Sequence, residues 1–124
     1  MKKAVLFILS ILFSFTLLAQ AKIEIEKKTF KFPKTKEGVE LKHTYKLTNT
    51  GNAPLLIQKY EVACTCTKLT YPKTPILPNE TVSVEVTFDT KHKIGWQDRI
   101  ITLYSNAENS PIKIRFKVMV DNKK

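Results

Sequence analysis

The residues best suited to chemistry are the only two cysteines of the chain, Cys64 and Cys66, which are separated by Thr65. In a regular strand, residues two apart point to the same face, with Cα atoms about 6.6–6.8 Å apart. A relaxed disulfide prefers a Cα separation of about 5.5–6 Å. A bridge between these two cysteines therefore needs a bend at Thr65. Because it would close a very short loop, its entropic stabilisation is small.

Four interpretations of the cysteine pair are open from the sequence. The thiols can pack as small apolar groups or form a strained local bridge, and both of these roles are structural. A redox-active pair needs a stabilised thiolate, and Lys68 is a cation nearby in sequence. Two thiolates also suit a soft metal ion such as Cu(I), with His43 as a further candidate ligand. An intermolecular disulfide is the fourth interpretation, whereas zinc would require His43 and His92 to converge on both cysteines.

Two further residues are candidates for function. His43 shares the apolar face of a predicted strand with Tyr45, which favours a half-buried structural histidine over a base activating a cysteine nucleophile. Trp96 is the only tryptophan and falls in a predicted polar loop from Asp89 to Gln97. There it would either cap one end of the fold or offer an aromatic anchor to a partner or a sugar ring.

The segments that must position these residues alternate apolar and polar side chains with a period of two, which predicts β-strands. The clearest case is the run Ile112 to Val120. About seven strands are expected, over residues 22–26, 30–32, 41–48, 55–63, 81–88, 99–105 and 112–120. Turn signals separate them, and Asn49 to Asn52 is the strongest. One apolar face per strand predicts two sheets packed face to face, as an all-β, immunoglobulin-like β-sandwich.

The N-terminus has the pattern of a secretory signal peptide, which would be helical. Met1-Lys2-Lys3 is followed by an apolar run to Leu18 and by Ala19-Gln20-Ala21, a small-x-small cleavage site. The run is shorter than the ~18–20 residues of a spanning helix. We therefore predict a signal peptide over residues 1–21 and one domain over residues 22–124, exported to the periplasm or the medium, with no transmembrane segment after processing.

The charge of the chain comes almost entirely from lysine. The formal net charge is +10, and Arg99 and Arg115 are the only arginines. Because nucleic-acid readers rely on arginine, and because export is predicted, nucleic acid is not expected as a partner. The lysines can keep strand edges from aggregating or attract anionic envelope lipids and glycans. No hydrolase elbow, metalloprotease motif or phosphate-binding glycine loop is present, so we do not predict an enzyme.

Several motifs, taken together in chain order, resemble a known family. They are Phe30-Lys31-Phe32, the run Asn49 to Leu55, the run Ala63 to Thr67, and the run Ile101 to Asn106. This pattern is similar to that of bacterial exported Ig-like domains of unknown function with a Cys-x-Cys-Thr motif, which are distantly similar to hydin, ASH and major-sperm-protein domains. The resemblance implies an Ig-like fold, an exported location and a role as an interaction module. Thr65 departs from it, since glycine is usual there.

These observations lead to a functional expectation and an alternative. We expect an exported, non-enzymatic Ig-like module without a cofactor, which binds another envelope protein or polymer, with Trp96, Cys64 and Cys66 as candidate contacts. The alternative is a thiol redox or copper-binding protein that uses Cys64 and Cys66, with His43 as the third candidate ligand. A weaker idea is a periplasmic chaperone that uses an edge strand.

Overall fold

A computed structural model describes residues 18–122, and within that range it contains nine β-strands and no helix. The strands are β1 (Ile23–Ile25), β2 (Thr29–Lys31), β3 (Thr35–Lys36), β4 (Glu40–Asn49), β5 (Ile57–Val62), β6 (Thr67–Thr70), β7 (Thr81–Asp89), β8 (Gly95–Ser105) and β9 (Ile112–Asp121). The predicted all-β class is confirmed. Within residues 18–122, no helix has the length and apolar character needed to span a bilayer.

The strands form two sheets that share one core. The four-stranded sheet has the order β1-β4-β7-β6, and all its neighbours are antiparallel. The five-stranded sheet has the order β2-β9-β8-β5, with β3 also pairing with β9. Strands β2 and β3 run parallel to β9, because the chain crosses from one sheet to the other between β1 and β2. The two-layer arrangement expected from the period-two pattern is therefore present.

Alternate residues of each long strand point into the core, as the sequence pattern predicts. Tyr45 and Leu47 of β4 lie opposite Val84 and Val82 of β7. Near the centre, the rings of Phe88 and Phe116 lie 5.1 Å apart and join the two sheets. The largest fully buried side chains are Phe88, Phe116, Leu47, Leu55, Ile76, Ile101, Leu103, Ile114, Val84, Val86, Val118 and Val120. Burial of each such group stabilises the fold by roughly 1.5–3 kcal/mol.

Two short strands and one strand boundary differ from the prediction. Strands β3 and β6 were not expected, and they bring the number of strands from about seven to nine. Each of them has at most one apolar residue, so neither has a periodic pattern that predicts a strand. Strand β3 forms because it pairs with β9, and β6 forms because it pairs with β7. The prediction of a loop up to Gln97 is wrong, because β8 begins at Gly95. Trp96 therefore lies on a strand, where it pairs with Met119 of β9.

At one end of the sandwich, Asn49 is fully buried and holds the chain together through its side chain. Its Nδ2 donates to the carbonyl oxygens of Ala53 at 2.8 Å and Ile76 at 2.9 Å. Its Oδ1 accepts from the backbone N–H groups of Gly51 at 3.0 Å and Lys22 at 3.3 Å. All four hydrogen-bonding positions of the amide are thus used. From the sequence, Asn49 was expected only to begin a turn.

The N-terminal segment of the described chain packs on this same end. Ala21 is buried, Gln20 exchanges hydrogen bonds with Asn52, and the Ala21 carbonyl accepts from the Glu108 N–H at 2.9 Å. A Cβ at Gly51 would lie 2.2 Å from the Gln20 oxygen, so only glycine fits. We call Asn49, Gly51 and residues 20–22 the Asn49 corner. The predicted signal peptide covers residues 1–21, of which residues 1–17 lie outside the described residues. Cleavage after Ala21, which would remove Gln20 and Ala21 from this corner, stays a prediction.

Candidate functional site

The two cysteines lie on the turn that carries the chain from one sheet to the other. Strand β5 of the five-stranded sheet ends at Val62, and β6 of the four-stranded sheet begins at Thr67. Between them, the Thr67 N–H donates to the Cys64 carbonyl at 3.1 Å, which closes a tight turn. This is the bend at Thr65 that a local bridge requires. The Cα atoms of Cys64 and Cys66 lie 5.2 Å apart, and the two residues form a disulfide.

The two sulfur atoms have different surroundings. Cys66 packs against the hydrophobic core, its Sγ lies 3.9 Å from the Thr67 hydroxyl, and its carbonyl accepts from the Asp89 N–H at 2.9 Å. Cys64 instead lines an open cavity, and its Sγ accepts a hydrogen bond from the Cys66 N–H at 3.1 Å. Both cysteines are half-buried, but Cys66 is the one that packs on the core and Cys64 is the one that lines a cavity.

We call this cavity of about 200 Å³ the Cys64 pocket. Its walls come from the end of β5, the disulfide turn and the first half of β8: Val62, Ala63, Cys64, Thr67, Asp98, Arg99 and Ile100. Cys64 of the turn and the cationic Arg99 of β8 thus line the same cavity. The sequence distance between Cys64 and Arg99 hides this proximity, which the pairing of β5 with β8 creates.

Arg99 has an unusual environment for an arginine. It shares the inward side of β8 with Gln97 and Ile101, and its guanidinium lies 5.5 Å from the centre of the Phe88 ring. Its Nη2 donates to Gln97 Oε1 at 2.6 Å, while its buried Nε has no hydrogen-bond partner among residues 18–122. Over the same residues, the four salt bridges do not include Arg99. Among these residues, no carboxylate therefore neutralises its charge.

The other charged residue of the Cys64 pocket, Asp98, is already paired. Arg115 of β9 donates to it through Nε at 2.6 Å and through Nη2. This contact with Arg115 lowers the pKa of the Asp98 carboxyl. Asp98 is thus engaged on the solvent side of the sheet, and Arg99 is the unneutralised charge of the pocket.

His43 lies in an aromatic cluster and not with the cysteines. Its ring stacks on Phe30 at 3.5 Å and meets Tyr45 edge-on at 4.7 Å. Burial lowers the pKa of His43 below its usual value of 6.5. His92 lies apart in an exposed loop, and within residues 18–122 no three His, Cys, Asp or Glu side chains are grouped to hold a metal. Because a disulfide offers no thiolate, copper binding would need the reduced pair, and it stays a prediction.

Trp96 is 58% exposed on the solvent side of the five-stranded sheet, so it does not cap the core. We call this side the Trp96 face. Lys31 of β2 places its Nζ 5.1 Å from the centre of the indole ring. Trp96, Lys31, Gln97, Asp98 and Lys117 line a depression of about 350 Å³. The structure therefore presents this aromatic residue on a flat, partly basic surface.

Ile100 extends the apolar part of the Trp96 face. It is 47% exposed, and it lies four residues after Trp96 on the same side of β8. Ile100 was not identified from the sequence as a surface residue. The signal was available, since Ile100 and Ile101 are consecutive and only one of two neighbouring strand residues can point into the core.

The chain matches the family described as "Protein of unknown function (DUF1573)" over residues 23–120. No curated protein matches it in sequence. The family description names no substrate or partner.

Solved structures show the same fold at low sequence identity. A protein of unknown function from Porphyromonas gingivalis W83 has a TM-score of 0.72 and 16% identity over 86% of this chain, which spans 50% of that protein. The ASH/PapD-like domain 7 of human CEP192 has a TM-score of 0.66 and 13% identity, with 89% and 92% of the two chains covered. WR4, an MSP family member from C. elegans, has a TM-score of 0.52 and 10% identity over 82% and 99%. The predicted Ig-like fold and the resemblance to ASH and MSP domains are confirmed.

Proposed function

This chain belongs to the DUF1573 family, and we propose that it is an exported, non-enzymatic binding module that docks an acidic envelope protein on its Trp96 face. The observation that carries this proposal is the exposure of Trp96 and Ile100 on one side of a rigid strand. Large aromatic side chains in such positions supply most of the binding energy at many interfaces. Because Trp96 and Ile100 pair with Met119 and Arg115 of β9, the anchor is already positioned before any partner arrives.

The charge of the Trp96 face indicates the kind of partner. Asp98 is held by Arg115, and Glu61 lies 3.4 Å from Lys59, so the acids of this face are paired. Lys31 and Lys113 form no salt bridge within residues 18–122, and Lys117 acts only on Asp98, which Arg115 already holds. Unpaired cations around an apolar centre favour an acidic partner and speed its association at low salt.

The outer side of the four-stranded sheet provides the contrast. None of its exposed positions on β4 and β7 is a large apolar residue; they are Glu40, Lys42, Thr44, Lys46, Thr81, Ser83 and Asp89. A solvated surface of this kind keeps a small β-protein soluble. The difference between the two sides supports binding on the Trp96 face only.

The non-enzymatic part of the proposal is supported by the roles of Tyr45 and His43, two of the groups with shifted pKa values. Burial raises the pKa of Tyr45 to about 12, and its hydroxyl donates to the Arg115 carbonyl at 2.8 Å, which links the two sheets. The lowered pKa of His43 comes from its aromatic cluster. Abnormal pKa values can mark catalytic groups, but these two serve packing.

The test uses the single tryptophan as its own reporter. The processed protein is titrated with fractionated acidic envelope proteins, and indole burial is expected to shift its fluorescence emission to shorter wavelength. A charge-reversed pair on the Trp96 face, Lys31→Glu with Lys117→Glu, is expected to weaken binding at least tenfold. The matched control is Lys42→Glu with Lys46→Glu, which changes the net charge equally on the other sheet and should leave binding within twofold.

Two outcomes would overturn the proposal. One is equal loss of binding in both charge-reversed variants, which would indicate non-specific attraction. The other is an emission shift produced by isolated envelope polysaccharide and not by protein. A Trp96→Phe variant, followed by calorimetry in place of fluorescence, checks that the indole contributes to affinity and does not only report it.

A further inference from the structure

We infer that the Cys64–Cys66 disulfide is a thiol–disulfide exchange site, in which Cys64 is the sulfur that is attacked and Arg99 stabilises its thiolate. Exchange needs access to one sulfur along a free path. Cys64 lines the Cys64 pocket, whereas Cys66 packs against the core. The position of the two sulfurs therefore assigns different roles to them.

Arg99 supplies the charge that such a site requires. A thiolate forms at neutral pH when a cation or N–H groups stabilise it. Arg99 lines the same pocket, lacks a carboxylate partner within residues 18–122, and has a buried Nε without a hydrogen-bond partner there. The Cys66 N–H already points to Cys64 Sγ at 3.1 Å. Arg99 and this N–H are together the thiolate-stabilising groups.

The remaining charged groups near the turn do not replace Arg99. Asp98 would oppose a thiolate, but its carboxylate is engaged by Arg115. Lys68, which the sequence suggested as the nearby cation, lies exposed on β6 and does not line the pocket. The structure thus transfers this role from Lys68 to Arg99.

The exchange step balances with a thiol as the co-reactant. An incoming thiolate attacks Cys64 Sγ, forms a mixed disulfide and breaks the Cys64–Cys66 bond, and the two bonding electrons leave with Cys66 as a thiolate that takes a proton from water. A second thiolate then attacks the sulfur of the incoming group, which releases Cys64 as a thiolate. Two thiols are oxidised to one disulfide, and the protein disulfide is reduced to two thiols. The reverse sequence oxidises the protein.

The first experiment identifies the attacked sulfur. The full processed protein, carrying either Cys66→Ser or Cys64→Ser, is mixed with oxidised glutathione, and the mixed disulfide is measured by mass spectrometry at neutral pH. The protein with free Cys64 is expected to react at least tenfold faster than the protein with free Cys66. Equal rates, or a faster Cys66, would overturn the assignment. In the wild type, reduced glutathione is also expected to reduce the Cys64–Cys66 disulfide, so that both free thiols are detected while the protein remains folded.

The second experiment tests Arg99 through a pH profile. The alkylation rate of Cys64 by iodoacetamide is followed against pH in the Cys66→Ser background. Arg99→Gln is expected to move the profile to higher pH and slow alkylation at pH 7 about tenfold, Arg99→Lys to restore most of the rate, and Lys68→Gln to change it less than twofold. A profile unmoved by Arg99→Gln, or moved equally by Arg99→Lys, would refute the electrostatic role. If circular dichroism shows that Arg99→Gln does not fold, the Arg99→Lys and Lys68→Gln profiles are compared instead. A shift of the pH profile in Lys68→Gln alone would overturn the assignment to Arg99. An unshifted profile in Lys68→Gln would support it.

This inference and the proposed docking function fail separately. A Trp96→Phe substitution should leave glutathione exchange at Cys64 unchanged, because Trp96 does not line the Cys64 pocket. Asp98 and Ile100 belong to both the Trp96 face and the Cys64 pocket, so Trp96 is the position that tests the two functions independently, and loss of exchange in this variant would contradict that independence.

Discussion

The two ends of the sandwich differ in how completely their buried polar groups are hydrogen-bonded. At the Asn49 corner, the buried amide of Asn49 has four hydrogen bonds and Gly51 leaves no space for a methyl group. At the other end, where Thr67 pairs with Phe88, the Cys64 pocket remains open and the Arg99 Nε has no partner among residues 18–122. Fully satisfied polar groups help to specify a unique structure, whereas a buried group without a partner calls for an explanation, and a redox role is one of the recognised explanations.

This comparison predicts an order for the effects of substitution. Changes at the Asn49 corner should reduce stability strongly, and changes at the disulfide should reduce it little while altering reactivity. Large losses at both ends, or small losses at both, would remove the distinction.

The largest effect is expected for Asn49→Asp. This change replaces Nδ2, which donates to two carbonyls, by an oxygen that repels both of them, and it buries a charge at a position with 0% exposure. We expect the free energy of unfolding, measured in urea, to fall by about 4 kcal/mol or more. The control is Asn52→Asp, which makes the same chemical change at an exposed residue of the same turn and should cost less than about 0.5 kcal/mol.

A smaller loss is expected for Gly51→Ala. The new Cβ would meet backbone atoms of Gln20, Ala21 and Lys22 between 2.2 and 2.8 Å, so the N-terminal segment must move. Overpacking of this kind costs about 1–3 kcal/mol. The same substitution in a chain that begins at Lys22 lacks two of these contacts and should cost less. An equal loss in both chains would show that Gly51 is needed for its own backbone and not for residues 20–21.

Reduction of the disulfide should have a modest effect on stability. Its cysteines are only two residues apart, and loop-closure entropy for such a short loop is worth about 1.5 kcal/mol. We expect urea unfolding with and without a phosphine reductant to differ by about this amount. A loss above about 3 kcal/mol would make the bridge a structural staple and would weaken the contrast between the two ends.

The smallest effect concerns His43, which lies on β4 between the two ends. Because burial lowers its pKa from 6.5, the unfolded chain binds a proton more readily, and stability falls as pH decreases from 6.5 towards the folded pKa. His43→Gln should remove this component from the slope of unfolding free energy between pH 7.5 and 5. His92→Asn, at an exposed position with positive φ, is the control and should retain it.

The period-two pattern was sufficient to predict the long strands and their buried faces. Ile114, Phe116 and Val118 lie in the core, where their alternation with Lys113, Arg115 and Lys117 placed them. Strand β6 was missed because its single inward apolar residue, Leu69, carries no periodic signal. It becomes a strand only through its hydrogen bonds to β7.

For the candidate sites, the sequence identified residue types and the fold decided their neighbours. The spacing of Cys64 and Cys66 pointed to a short bridge with a bend at Thr65, since strand geometry limits what two such residues can do. It could not place Arg99 beside Cys64 or exclude His43 from their surroundings, because those positions depend on pairing between distant strands. Consecutive residues determine what a short segment such as Cys64 to Cys66 can do. The residues that line a pocket depend on which strands pair and in which register, and only the folded chain specifies that.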